Sequence, residues 1–214
     1  MSFESNHVKR FFQQHSAFFL PYLIFLLCVA YILLIFDKSE IHLFFNQYHN
    51  PFLDTVFYYI TFLGDGITAF SVSFIFLFIN KRHALFIFLS NAVASLLAQY
   101  LKHYIFPDMD RPKLFFQHLK ALYLVPGVDN ASYNSFPSGH ATTAFATSLC
   151  LALILQNKVL KFSFFCIAIL IGFSRIYLSQ HFISDVYAGS ILGVSVTCIF
   201  YWIIYEKFPS KLRP

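Results

Sequence analysis

Charge is what this sequence has least of. Only 12% of its 214 residues are Asp, Glu, Lys or Arg, against about a quarter in a soluble domain. Hydrophobic residues make up 58% and aromatics 21%, with 30 Phe. This excludes an ordinary water-soluble globular enzyme and implies a polytopic membrane protein. Cysteine is scarce as well. Cys28, Cys150, Cys166 and Cys198 all sit inside apolar runs, without metal-ligand spacing and without a pair in a loop. They read as small apolar residues rather than as disulfide partners. No group of carboxylates suggests a magnesium site, and no internal repeat or low-complexity tract stands out. The net charge of +5 could point to nucleic acid. The positions of the charges argue otherwise, and no nucleic-acid partner is expected.

What is present is apolar sequence in blocks. Residues 18–36 form a 19-residue apolar run, close to the length that crosses a bilayer. Lys9 and Arg10 precede it in the manner of a signal peptide. The run ends at Asp37-Lys38-Ser39-Glu40 without a small-residue cleavage pattern, so it is expected to remain as the first span. The aromatic, partly polar stretch 41–62, which contains Pro51 and Asp54, is expected along the interface. Further spans are expected at about 67–80, 84–105, 139–156, 162–178 and 186–205. The first of these is interrupted by Gly64-Asp65-Gly66 and could start as early as Phe57. A long polar loop covers 106–137. The expected fold is all-α: one membrane-embedded domain over 1–214, a six-transmembrane-helix bundle with its core at about 55–205.

The basic residues orient this bundle. Lys9 and Arg10, Lys81 and Arg82, Lys158 and Lys161, and Lys207, Lys211 and Arg213 fall on one side of a six-span drawing. The positive-inside rule makes that side cytoplasmic, with both termini inside. Nine of the fifteen Lys and Arg residues are thereby explained. Lys102, Arg111 and Arg175 lie on the opposite face and need another reason.

Three clusters meet at that face. Lys102 ends the third span, with Arg111-Pro112 shortly after. Pro137-Ser138-Gly139-His140 opens the fourth. There Pro137 stops any preceding helix, Ser138 is a good N-cap, and Gly139 lets an anion approach its backbone amide. Such a helix start is a phosphate cradle, with His140 beside it. The third cluster, 173–185, joins spans five and six. On a helix His181 and Asp185 share one face, and a carboxylate beside an imidazole fixes its tautomer and strengthens it as a nucleophile or base. Arg175 offers a planar fork matched to phosphate.

Pro137-Ser138-Gly139-His140, together with Ser174-Arg175, five residues, His181, three residues and Asp185, resembles two signatures of the type 2 phosphatidic acid phosphatase superfamily. That family includes lipid phosphate phosphatases and vanadium haloperoxidases. Its first signature is usually Lys, six residues, then Arg-Pro; here eight residues separate Lys102 from Arg111-Pro112. The resemblance implies a membrane lipid phosphatase without cofactor or metal. In that reading His181 is the nucleophile that forms a phosphohistidine, Asp185 orients it, and His140 protonates the leaving group and then activates water. Lys102, Arg111, Ser138, Gly139 and Arg175 would bind the phosphoryl oxygens. The substrate would be a lipid phosphate: undecaprenyl pyrophosphate, lipid A, phosphatidylglycerol phosphate or phosphatidic acid. The bacterial type is expected, in the inner membrane, with the site on the periplasmic or extracellular side. A lipid phosphotransferase using the same pocket stays open; a vanadium-type oxidase or a silent membrane protein is disfavoured. Asp65, between two glycines, reads as a loop turn more than as a contact to a head group. Phe115, Phe116, Tyr177, His103 and Lys113 adjoin the motifs without a firm role, and His42 and His49 show no usable pattern.

Overall fold

The structure, a computed structural model, describes residues 2–207; Lys211 and Arg213 of the orientation argument lie outside them. Helix α1 (Ser2–Gln14) leads into α2 (Ser16–Ile35), α3 (Lys38–Asn46) and α4 (Pro51–Ile60). A 3-10 turn, Thr61–Gly64, joins α4 to α5 (Gly66–Ile79). Helix α6 (Lys81–Tyr100) runs into a π-helical turn, Leu101–Ile105. The short α7 (Pro112–Phe116) lies in the long loop before α8 (Gly139–Ile154), which is followed by α9 (Lys158–Tyr177) and α10 (Ile183–Tyr201). A second π-helical turn, Trp202–Lys207, closes the described chain. No strand occurs among the described residues.

Among the described residues, four helical segments are long and apolar enough to cross a membrane: Ser16–Ile35, Lys81–Ile105, Lys158–Tyr177 and Ile183–Lys207. Pro51–Gly64 and Gly66–Ile79 pass the same test only together, as a pair bent by 55°. The region expected to lie along the interface is therefore two helices, and the second of them belongs to a bent apolar pair. Local chemistry explains its start. Pro51 occupies the first turn, where its missing N–H is no loss, and the Asn50 side chain accepts from Leu53 N at 3.0 Å. Asn80 and Asn157 cap α6 and α9 in the same way.

Helix α8 is the centre. Its 16 residues span only about 24 Å at 1.5 Å per residue, short for a lipid-facing crossing. Twelve of the sixteen are buried, so it meets protein on every side. Thr142 and Thr143 donate to the carbonyls of Ser138 and Gly139 one turn back, and Thr147 donates across to Asn91 Oδ1 of α6 at 2.9 Å. Phe145 and Leu149 join Phe18 and Phe86 in the main apolar core. The four cysteines are free. Lys161, expected as a flanking charge, is instead fully buried; its Nζ donates to Gln14 O at 3.1 Å and His15 Nδ1 at 2.9 Å.

Helix α10 crosses α8 with backbones in contact. A Cβ on Gly189 would stand 2.5 Å from Ser138 O and 3.1 Å from Ala141 Cβ. One on Gly193 would collide with Thr142 O and stand 3.1 Å from Ala146 N. Neither backbone can yield, so small residues four apart set the helix separation, as is common within membranes. Gly193→Ala is expected to destabilise the protein by about 1–3 kcal/mol through overpacking. Gly66→Ala, where the added methyl meets nothing within 4 Å, is expected to be neutral or slightly stabilising. Thermal-unfolding midpoints of the two variants in detergent check this; equal midpoints would contradict the packing account.

Candidate active site

The three clusters converge at one end of α8, α9 and α10. After α9 the chain turns on Leu178 and on Ser179, whose φ is +54°. Gln180 N and His181 N then both donate to Arg175 O, at 3.0 and 3.1 Å. One carbonyl therefore seats the histidine. Asp185 Oδ2 lies 3.3 Å from His181 Nδ1 and also accepts from Phe182 N at 3.0 Å and Ser135 Oγ at 2.5 Å. With Nδ1–H facing a carboxylate, the imidazole lone pair is on Nε2, which no described residue engages. Burial pulls the His181 pKa down to about 3. The Asp185 hydrogen bond opposes this and the Arg111 and Arg175 charges add to it, which favours the neutral ring.

The cradle lies alongside. Ser138 caps α8, its Oγ accepting from Ala141 N at 3.4 Å, and its own N–H donates to Asp185 O at 2.9 Å. The space above Gly139 is open: a Cβ there would meet nothing within 4 Å. Lys102, 6% exposed, sits in the wide π turn and forms no ion pair or hydrogen bond with a described residue. It lies within electrostatic reach of Arg111, Arg175 and Asp185. Arg175, 4% exposed, donates from Nη1 to Thr61 Oγ1, and its buried Nε has no partner. Arg111 is more engaged, donating to the carbonyls of Tyr133, Asn134 and Gln180 at 3.0, 3.5 and 3.4 Å. Burial lowers its pKa, with Asp185 opposing. His140 lies within electrostatic reach of Arg175, His181, Lys102 and Arg111, and its Nε2 is 2.8 Å from Asp65 Oδ1. All eight residues singled out in the sequence thus gather round one locus rich in underused N–H donors.

A family model described as the PAP2 superfamily matches residues 83–209. The chain belongs to the PAP2 superfamily. It is 30% identical over 171 residues to undecaprenyl-diphosphatase BcrC of Bacillus subtilis, which covers 78% of this chain and 81% of that protein. It is 28% identical over 168 residues to lipid A 4'-phosphatase of Porphyromonas gingivalis, covering 74% and 69%. The crystal structure of Aquifex aeolicus LpxE matches with a TM-score of 0.67 at 27% identity, over 75% of this chain and 92% of that one. A PAP2-type phosphatidylglycerolphosphate phosphatase from Bacillus subtilis shares the fold at a TM-score of 0.67 and 23% identity, over 94% and 99%. With its apolar helices, this PAP2 chain is an integral membrane protein.

Other residues around this PAP2 site take roles that the motifs alone do not reveal. Ser135, two residues before Pro137, is buried and donates to the carboxylate that holds His181. Its N–H donates to Met109 O, and Arg111 N donates to Ser132 O, so the loop carrying Arg111 is tied to the His181–Asp185 pair. Asp54 accepts from Tyr177 OH at 2.7 Å, Tyr123 OH at 2.8 Å and His49 Nδ1 at 2.9 Å. Tyr177 and His49 are thereby structural, clasping α4 and the loop onto the end of α9. Buried His42 contacts Ser179 Oγ at 3.2 Å. His103 is exposed beside Gln99 O, Lys113 donates to Asn130 O, and Phe116 stacks on His42.

Two expectations follow. Asp185 bears a charge, and a hydrogen bond to a charged group is worth about 1.5–3 kcal/mol. Ser135→Ala should therefore lower kcat about tenfold or more with little change in KM; unchanged kcat would make this hydroxyl incidental. Burial also lowers the pKa values of His15 and His42 to about 4. Unfolded imidazoles titrate near 6.5, so below that pH the unfolded chain binds more protons than the folded one. Stability should fall as pH drops from about 6.5 toward 4; an unfolding midpoint flat across that window would contradict it.

Proposed function

We propose that this chain, a membrane lipid phosphatase by family and relatives, hydrolyses a lipid phosphate or pyrophosphate through a phosphohistidine on His181. The reading rests above all on one juxtaposition. A neutral imidazole, oriented by Asp185, stands beside three cations, Lys102, Arg111 and Arg175, that form no salt bridge among the described residues. His181 Nε2 attacks phosphorus as the bond to the lipid oxygen breaks. His140 gives that oxygen a proton, then takes one from the water that cleaves the P–N bond and frees phosphate. Lys102, Arg111, Arg175, the Ser138 hydroxyl and the Gly139 amide balance the phosphoryl charge. Phosphoryl transfer draws most of its acceleration from such positioning and charge stabilisation, and no step in this sequence needs a metal.

Counting the bent pair and α8 as crossings makes six spans, with Lys9, Arg10, Lys81, Arg82 and Lys158 on the cytoplasmic side and the site on the outer face of the inner membrane. An outward site suits undecaprenyl pyrophosphate or lipid A first, with phosphatidylglycerol phosphate and phosphatidic acid behind them. Phosphate release by purified protein from these four lipids is the test. His181→Ala is expected to abolish turnover, and His140→Ala to reduce it by about 10²–10⁴, the range of general acid–base catalysis. Vanadate, which adopts the trigonal-bipyramidal shape of the transition state, should inhibit. Full activity in His181→Ala, or release from none of the four lipids by the wild type, would refute the reading.

A further inference from the structure

Asp65 is a carboxylate at the cradle that the motifs and the mechanism above leave unused. It precedes α5 as its N-cap, where an Asp side chain ordinarily accepts from the helix's first amides. Here the side chain caps nothing. It turns instead to His140, Oδ1 lying 2.8 Å from Nε2 with both side chains part-buried. The approach is built into the backbone. Gly64, one residue earlier, lies against the first turn of α8; a Cβ there would be 3.1 Å from His140 O, 3.2 Å from His140 Cβ and 2.7 Å from Ile171 Cγ2. The turn that carries Asp65 can reach His140 only because residue 64 has no side chain.

The groups facing His140 are otherwise cationic or neutral: Arg175 from α9, His181 from the α9–α10 link, Lys102 from the end of α6 and Arg111 from the long loop. Burial and then the Arg175, Lys102 and Arg111 charges lower the His140 pKa, so the second proton it needs as an acid requires the Asp65 carboxylate and the bound phosphate beside it. We propose that Asp65 is the positioning residue of His140. It engages Nε2–H, so that Nδ1 is the nitrogen that exchanges protons with substrate and water. The inference rests on the phosphohistidine reading. In the first step the Nδ1 proton passes to the leaving oxygen as the P–O bond breaks and the His181 N–P bond forms. In the second, Nδ1 takes a proton from water as the water oxygen bonds to phosphorus and the N–P bond breaks. Nε2–H faces Asp65 throughout; a carboxylate accepts it with a negative charge, whereas an amide offers only a neutral oxygen and can turn its NH2 to the ring instead.

An acid matters most when the leaving group is a poor one. The test compares kcat/KM for p-nitrophenyl phosphate, whose phenolate departs without a proton, with that for phosphatidic acid or phosphatidylglycerol phosphate, whichever the wild type turns over faster. Asp65→Asn is expected to lower kcat/KM for the alkyl phosphate about 10²-fold, within the usual range of general acid catalysis, and for the aryl phosphate less than about threefold. In a His140→Ala background Asp65→Asn should add no further loss on the aryl substrate. Should the Asn variant fail to fold, Asp65→Glu keeps the charge one methylene away and is expected to show the same leaving-group dependence with a smaller loss. An equal loss on both substrates, no loss on either, or an additive loss in the His140→Ala background would overturn the role of Asp65. The phosphatase reading is judged separately, by whether the wild type releases phosphate at all.

Discussion

The backbone contact between α8 and α10 is the constraint on which the site depends. Within lipid, helices gain little by hiding apolar surface from one another, so close packing of small residues must hold them. Gly189 and Gly193 supply that contact against Ser138 and Thr142. The result is local: Ser138 N–H reaches the carbonyl of Asp185 at 2.9 Å. The residue that caps α8 and the carboxylate beside His181 are thus joined by one hydrogen bond, although 47 positions separate them. A side chain at either glycine would move the two halves of the site apart before it disturbed either half.

The buried cations sort themselves by how they are satisfied. Removing an ammonium or guanidinium from water costs several kcal/mol even after relaxation, so an underused buried cation needs a reason. Lys161 has a structural one, for it donates to a carbonyl and an imidazole at the other end of α9. Arg111 spends three donors on loop carbonyls and so fixes the loop while turning what remains toward the site. Lys102 and Arg175 are different: nearly buried, with only Thr61 Oγ1 between them as partner. In the proposed reading, a bound phosphate offsets their desolvation. Interactions that become strong only with bound, reacting phosphate are those that accelerate a reaction rather than stabilise a fold.

What could be read from the sequence was what is local along the chain. The Ser138 cap, the open Gly139 and the His181–Asp185 contact depend on neighbours a few residues away, and all appear in the structure, although His181 lies in the turn before α10 rather than on a helix with Asp185. Apolar length located the straight crossings. Contacts made by long-range packing were not legible. Asp65 between two glycines has the composition of any turn, and nothing in its neighbourhood names His140 as a partner. Asp54 and Tyr177 lie 123 residues apart. Lys161 looked like a flanking charge because burial of a lysine depends on what covers it, here the end of α1. Ser135 offered the best missed signal: a hydroxyl two residues from Pro137, within reach of whatever that turn approaches.

The break between α4 and α5 joins these observations. Interrupting an apolar helix leaves backbone groups without helical partners, and each is costly unless re-satisfied. Part of the repair is visible, since the Thr68 hydroxyl donates to Phe62 O at 2.9 Å and Asp65 N donates to the same carbonyl at 3.1 Å. Repair does not explain why the break exists. Within five residues, however, Thr61 holds Arg175, Gly64 seats against the first turn of α8, and Asp65 meets His140. An uninterrupted helix would keep the Gly64 carbonyl and the residue 65 amide in its own ladder and carry α5 straight on instead of turning 55°. The 3-10 turn and the extended Asp65 that follows release this segment to face the ends of α8 and α9. By this argument the bend belongs to the active site as much as the motif residues do.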